Sequence, residues 1–407
     1  MEKHNLSGVQ DEIQAAWDEF NEIFTKSSDT SPLGEHAVHE AFTLLGEVES
    51  PYEDLRSDLE ARVVEQPTAI DAIISAMEQS HARLDYDNRP IASLAFLGPT
   101  GTGKTESARA LAEALSGSGV ENLVKIDCSN FSRGHEVALL TGSPPGYVGE
   151  KVTPILAKEN IEKPGTVVLF DEIEKGAPTL RDLMLQIMDD GKIRLNRGDE
   201  TNFRDTVVIM TSNLGAAEMA REVSGRNLGF SFGGKQFDAE KVDTVARNSF
   251  KKAFRPEFIN RLDDMIVFHP LSESGLSKVL NVKLGDLNGL YEYEYGIRLT
   301  LSELAQQHLV TTAAREPEFG ARPLVRALEK QVQATFGRYL EAGAIGDATH
   351  VHVYHQDEVE PIRTSISDSP FVFAKRSDDT LMGRVPYEPF KEPISPESVD
   401  TAEAIEP

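Results

Sequence analysis

Leu94-Ala-Phe-Leu-Gly-Pro-Thr-Gly-Thr-Gly-Lys-Thr105 decides the fold. The apolar run Leu94–Leu97 reads as a buried strand. A glycine-rich turn follows, and Ala108, Leu111, Ala112 and Leu115 then recur on one face of a helix. Strand, Gly-x-x-x-x-Gly-Lys-Thr, helix is the order in which backbone N–H groups cradle phosphate oxygens at a helix N-terminus. Gly98, Pro99, Thr100, Gly101, Thr102 and Gly103 supply the cradle. Lys104 is the expected cation for the β and γ phosphates of ATP, and the Thr105 hydroxyl an expected ligand of Mg²⁺. A chance glycine turn would lack the flanking strand and helix.

A second apolar run, Val167–Phe170, ends in Asp171-Glu172. Such a pair after a strand is ordinary surface chemistry by itself. Beside a phosphate loop it gains a role: Asp171 contacts Mg²⁺, directly or through water, and Glu172 polarises the attacking water as a general base. Asn213 closes Met210-Thr-Ser-Asn213 after a third run. Its amide can orient the same water or simply form a turn.

The remaining strands are expected at Leu123–Ile126, Thr206–Met210 and Met265–Phe268, with Thr166 opening the acidic-ended one. Apolar strands alternating with helical patterns predict an α/β fold with a parallel sheet covered on both faces. Four regions follow. Residues 1–49 are an acidic helical extension, either a docking hairpin or a packed appendage. Residues 50–270 are the nucleotide-binding domain. Residues 271–360 are mostly helical and end in the alternating run Thr349–Tyr354. Residues 361–407 gather Pro, Ser, Asp and Glu without apolar period and read as a mostly disordered tail.

Bulk properties narrow the function. The 407 residues exceed one domain's worth on a prior of roughly 100 to 200 residues each. A net charge of −26 repels nucleic-acid phosphate and argues against a DNA or RNA motor. The single cysteine, Cys128, allows no internal disulfide and suits a reducing compartment. No apolar run approaches the roughly 18 residues of a membrane helix, so a cytoplasmic protein without membrane contact is expected.

The motifs FLGPTGTGKTE, GSPPGYVG, LFDEIEK, VVIMTSNLG, FRPEFINRLD and FGARPL follow one another along the chain. In that order they resemble the Clp-type AAA+ unfoldases, most closely the second ATPase module of the two-ring members ClpC and ClpB. The resemblance covers about Leu55 to Val359. It implies an AAA+ phosphate-loop sheet sandwiched by helices, followed by a smaller, mostly helical lid domain with a short C-terminal β element. It implies a homohexamer acting on unfolded or tagged proteins. Arg261 matches the arginine finger that reaches a neighbouring subunit's site, with Arg255 a weaker candidate. Arg322 matches the second sensor. Val63, Val64 and Gln66 match the segment lining the adenine pocket, where Glu65 replaces the expected glycine. That departure bears on the backbone path, because only glycine freely adopts positive φ. Tyr147 and Val148 match the central pore loop that grips extended polypeptide.

Leu228-Gly229-Phe230 resembles the exposed tripeptide by which ClpC-like proteins dock on the peptidase ClpP. The alternative is a loop whose apolar residues fold back on the module, leaving a protease-independent chaperone or disaggregase. Three weaker signals complete the reading. His350, His352 and His355 are read as exposed strand histidines rather than a metal site. Tyr291, Tyr293 and Tyr295 are assigned to packing, in a loop before Ile297–Leu299. Cys128 is read as structural.

Overall fold

The computed structural model describes residues 52–81, 88–117, 122–142, 153–196, 198–223, 239–346, 348–358, 370–375 and 380–381. The extension 1–49, Tyr147, Val148, Leu228-Gly229-Phe230 and most of 361–407 lie outside the described residues. Two compact units divide at Ser57 and Asp58. Of the first, only Tyr52–Ser57 is described, the opening of the helix Glu53–Arg62. Everything below concerns the second.

Its strands are β1 (Ala92–Leu97), β2 (Leu123–Asp127), β3 (Val167–Asp171), β4 (Lys192–Arg194), β5 (Glu200–Asn202), β6 (Val207–Ser212), β7 (Asp264–Val267), β8 (Arg298–Leu301), β9 (His350–His355), β10 (Phe371–Lys375) and β11 (Thr380–Leu381). The main sheet runs β2-β3-β6-β1-β7, with every described neighbour pair parallel. All six residues of β1 and of β6 are buried, as an all-parallel sheet with both faces covered requires. Thr166 and Thr206 precede their predicted strands' actual starts. Their hydroxyls donate to Lys163 O (2.9 Å) and Phe203 O (2.7 Å), so each closes a turn before its strand begins.

β1 and β3 feed the elements that matter chemically. The phosphate-loop helix Lys104–Ser116 starts at Gly103 in left-handed backbone and stops at Gly117, also left-handed. The helix Pro178–Asp190 begins with proline in its first turn and ends at left-handed Gly191. On one side of the sheet, Met184, Ile187 and Met188 from this helix join Phe170, Met210 and Phe250 in a fully buried cluster.

From β7 the chain passes into a second cluster built on the helix Glu273–Tyr295, capped by Ser272, whose hydroxyl accepts from Gly275 N. β8 pairs parallel with β9, and β9 antiparallel with β10. β10 falls within the stretch read from sequence as tail. Phe371 and Phe373 point inward with Val351, Val353 and Phe336. A five-residue Phe-Val-Phe-Ala-Lys run among prolines and acids is too short to announce itself by period. Between the helices Arg322–Ala327 and Ala334–Glu341, residues Leu328–Gln333 form a π-helical segment that keeps Leu328, Val332 and Phe336 inward.

The tyrosine and histidine readings need correction. Tyr291, Tyr293 and Tyr295 sit in the last turns of the helix Glu273–Tyr295, not in a loop. Tyr291 packs on Phe336 (ring centroids 4.9 Å), whereas Tyr293 is 90% exposed and packs on nothing inside. His355 is buried and lies 4.8 Å from the ring of His308, because β9 alternates and its odd-numbered positions face the core. No group of three or more metal-ligating side chains occurs among the described residues.

Candidate nucleotide site

The phosphate loop leaves β1 with two glycines pressed against other backbone. A Cβ on Gly98 would stand 2.4 Å from Phe268 O, and one on Gly101 2.3 Å from Phe319 O. Both have positive φ (141° and 72°), so a side chain is excluded by space and by conformation. Lys104 is buried at the start of its helix. Its Nζ donates to Gly98 O (2.6 Å), Pro99 O (2.6 Å) and Asn213 Oδ1 (3.0 Å). Burial brings its pKa down to about 7 and nearby Arg322 adds to this, against the pull of Asp171, Glu174 and Glu172. A desolvated ammonium held only by neutral oxygens is a group poised for an anion.

Asp171 ends β3. Burial raises its carboxyl, but hydrogen bonds from Lys125 and Thr211 and the charges of Lys125 and Lys104 outweigh this and hold it below the usual carboxylate range. Lys125 Nζ lies 2.8 Å from Asp171 Oδ2, and the Thr211 hydroxyl donates to Oδ1. Glu172 follows in left-handed backbone, φ 58°, with its N–H donating to the Thr211 hydroxyl oxygen at 3.0 Å. Its carboxylate accepts from Lys175 Nζ and, at 3.3 Å, from Asn213 Nδ2. Asn213 therefore bridges Lys104 and Glu172.

The third wall belongs to the segment after β8. Arg322 opens a helix with Pro323 in its first turn, and Ala321 N–H donates to Gly101 O at 3.0 Å. Val63 and Val64 complete the enclosure. The backbone path through Glu65 is left-handed, φ 55°, as a glycine's would be. A non-glycine residue held there costs about 1–3 kcal/mol. Gln66 is buried. Its amide donates to His269 O (2.8 Å) and Thr102 O (3.3 Å) and accepts from His269 N–H (3.0 Å), tying the loop to the exit from β7.

These residues surround one cavity of about 460 Å³. Thr100 to Thr105, Asp171, Glu172, Asn213, Arg322, Val63 and Val64 all line it. Gly98 and Pro99 stand behind, holding Lys104. Arg261 does not line it: its Nε pairs with Asp189 at 2.5 Å, at the end of the helix Pro178–Asp190. Arg255 pairs with Glu257 at 3.4 Å. Sequence reading missed Lys125, although a lysine inside the apolar run Leu-Val-Lys-Ile-Asp beside an acidic strand end was a usable signal. It also missed Arg62 and Lys283, which meet Glu106 at 3.6 and 3.3 Å. Cys128 is buried and takes no part in the lining. Burial first, then Asp171 and Asp127, pushes its thiol up.

The cavity fits a nucleotide with a divalent cation. Leu271, Val279, Val282 and Val325 join Val63 and Val64 in an apolar wall suited to a flat base. Lys104, Lys125 and Arg322 offer charge for phosphates, and Gly98 and Gly101 let the loop pack directly against the backbone of Phe268 and Phe319. The Thr105 hydroxyl and the ionised Asp171 carboxylate are oxygen donors of the kind Mg²⁺ takes.

Comparison with known proteins gives a consistent result. Residues 89–265 match the AAA domain (Cdc48 subfamily), and residues 271–353 the C-terminal, D2-small domain of ClpB protein. The ATP-dependent Clp protease ATP-binding subunit ClpC of Staphylococcus saprophyticus is 36% identical over 86% of this chain, and that of Staphylococcus epidermidis 38% identical over 74%. The chain spans 43% and 36% of those relatives' lengths. Among solved structures, the S. cerevisiae Hsp104:casein complex superposes with a TM-score of 0.62 at 30% identity, over 75% of this chain and 50% of that one. The S. cerevisiae Hsp104-ADP complex gives 0.64 at 28% identity, over 82% and 55%.

Proposed function

We propose that this chain, which belongs to the Clp-type AAA+ ATPases, is an ATP-driven protein unfoldase that threads polypeptide through the pore of a hexameric ring. The observation that carries this reading is the single cavity shared by Lys104, Asp171, Glu172, Asn213 and Arg322. ATP with Mg²⁺ supplies the phosphoanhydride whose hydrolysis drives the work. Lys104 and Arg322 bind phosphate charge, and Thr105 and Asp171 hold the cation. Glu172 takes the proton of the attacking water at a carboxylate oxygen, with Asn213 fixing that carboxylate from one side. Arg261 serves a neighbour's site. Its exposure in one subunit, 46%, suits a residue that acts across an interface. Fingers of this kind contribute on the order of 10³–10⁵ in rate.

Tyr147 and Val148 grip the substrate by packing, in a segment between the two nucleotide motifs. Leu228-Gly229-Phe230 docks the ring on a ClpP peptidase, where six weak contacts gain avidity of order 10²–10⁴. A cytoplasmic setting suits the free, buried Cys128, and no described helix is long and apolar enough to cross a membrane. The second reading is a protease-independent chaperone or disaggregase. The likeness to Hsp104 supports it, since one of those solved complexes holds casein.

The test is ATP-dependent loss of an unstructured protein, with and without ClpP, for wild type, Phe230→Ala and Tyr147→Ala. Degradation that needs ClpP and disappears in Phe230→Ala supports the protease role. Unfolding indifferent to ClpP selects the chaperone. Tyr147→Ala is expected to keep most ATPase activity and lose unfolding; loss of both in proportion sinks the threading reading.

A further inference from the structure

Glu65 occupies a left-handed backbone position that glycine would fill without strain, and its side chain is fully engaged. Its carboxylate accepts from Ser272 N–H (3.0 Å), the Ser272 hydroxyl (2.7 Å) and the Ser274 hydroxyl (2.8 Å). All three donors belong to the first turn of the helix Glu273–Tyr295 or to its cap. The negative charge therefore meets the positive end of that helix. The approach is close: a Cβ on Gly275 would stand 2.2 Å from Glu65 Oε2. Burial raises the carboxyl, but these hydrogen bonds and the charge of Lys278 outweigh it and keep the group ionised at neutral pH.

The neighbours of Glu65 give the contact a purpose. Val63 and Val64, just before it, line the nucleotide cavity, and so do Val279, Val282 and Lys283 on the helix it caps. Gln66, just after it, clamps Thr102 of the phosphate loop and His269 at the exit from β7. Residues 63–66 thus join the phosphate loop to the helix that supplies the rest of the same apolar wall. A side chain that fastens the two parts of that wall together bears on how readily the cavity opens.

We propose that Glu65 is a positioning residue that holds the helix Glu273–Tyr295 against the Val63–Val64 wall and so sets how long nucleotide stays bound. This rests on the ATPase reading above and adds a determinant of affinity to it. The bonds exist whether or not chemistry has begun, so their loss weakens ground-state and transition-state binding alike. KM then rises while kcat is largely kept.

The experiment measures release of a fluorescent ADP analogue from the full-length protein by stopped-flow chase, with steady-state ATPase kinetics alongside. Variants are Glu65→Gly, Ser272→Ala/Ser274→Ala, the triple combination, and Gly275→Ala. Glu65→Gly is expected to release nucleotide about three- to tenfold faster and raise KM in proportion, allowing for partial exposure of the contact. Its melting temperature should stay near wild type, because relief of the left-handed strain offsets the lost bonds. The serine pair, which keeps the Ser272 N–H bond, should give a change of the same kind and no larger, and the triple variant no more than Glu65→Gly. Gly275→Ala, which thrusts a methyl at the carboxylate while favouring the helix, should release faster too. Wild-type release rates in Glu65→Gly overturn the proposal, as do effects of Glu65→Gly and the serine pair that multiply. A wild-type protein that fails to bind the analogue overturns the ATPase reading, and this inference with it.

Discussion

Two glutamates in the described chain, Glu65 and Glu172, hold positive φ, and they spend the same backbone strain differently. Glu172 stands one residue past β3, and the left-handed turn delivers its carboxylate to the cavity beside Asn213. Glu65 turns its carboxylate away from the cavity, to the cap of a helix more than 200 residues distant in sequence. In the first, strain aims a reactive group at where a substrate would sit. In the second, strain aims a group at another part of the protein. Backbone strain marks both positions as constrained, and only the direction of the side chain tells chemistry from mechanics.

The comparison can be tested from its strong end downward. Glu172→Gln keeps the shape and removes the base, so turnover should fall about 10²–10⁴-fold with nucleotide binding intact. Steady-state ATPase and analogue titration check this, and normal turnover would remove Glu172 from the base role. Asn213→Ala deletes the amide shared by Lys104 Nζ and Glu172 Oε1. About tenfold slower turnover is expected from loss of hydrogen bonds to charged partners. Thr211→Val strikes the turn itself, since its hydroxyl receives the Glu172 N–H and donates to Asp171. A partly buried N–H left unpaired should cost about 1 kcal/mol of stability in denaturant melts, with a smaller change in turnover.

The finest probe is glycine at each strained position. Glu172→Gly sheds the strain and loses side-chain bonds made at a half-open rim, so it should gain up to about 1 kcal/mol of stability. Glu65→Gly sheds the same strain but three bonds with it, so it should melt below Glu172→Gly. Equal melting of the two would erase the distinction drawn between them.

Much of this arrangement was legible beforehand, for a physical reason. β1 and β6 are buried throughout and β3 as far as Phe170, all three mostly apolar, and each leads straight into the residues the site uses: Gly98, Asp171-Glu172 and Asn213. Local spacing therefore fixes both the element and the residue it presents. Contacts between elements leave no such trace. Nothing in Val63-Val-Glu-Gln66 points to Ser272, nothing in Arg62 to Glu106, and nothing in Phe371-Val-Phe373 to pairing with β9 across a Pro- and Ser-containing stretch. The departure at Glu65 was visible only as an oddity. Its meaning required knowing which donors it faces.

The hydrogen bond from Ala321 N–H to Gly101 O carries a consequence of its own. It joins main chain to main chain, so of all side-chain substitutions only proline at 321, which lacks the N–H, removes its donor. On its other flank the same loop is wedged at Gly98 by Phe268. The loop is thus seated between two jaws with no slack on either side. Rotation of the Arg322 helix must either shear that bond or carry Gly101 along, and Lys104 with it. Motion on one side of the cavity is thereby transmitted to the other as displacement, in the manner of meshed teeth.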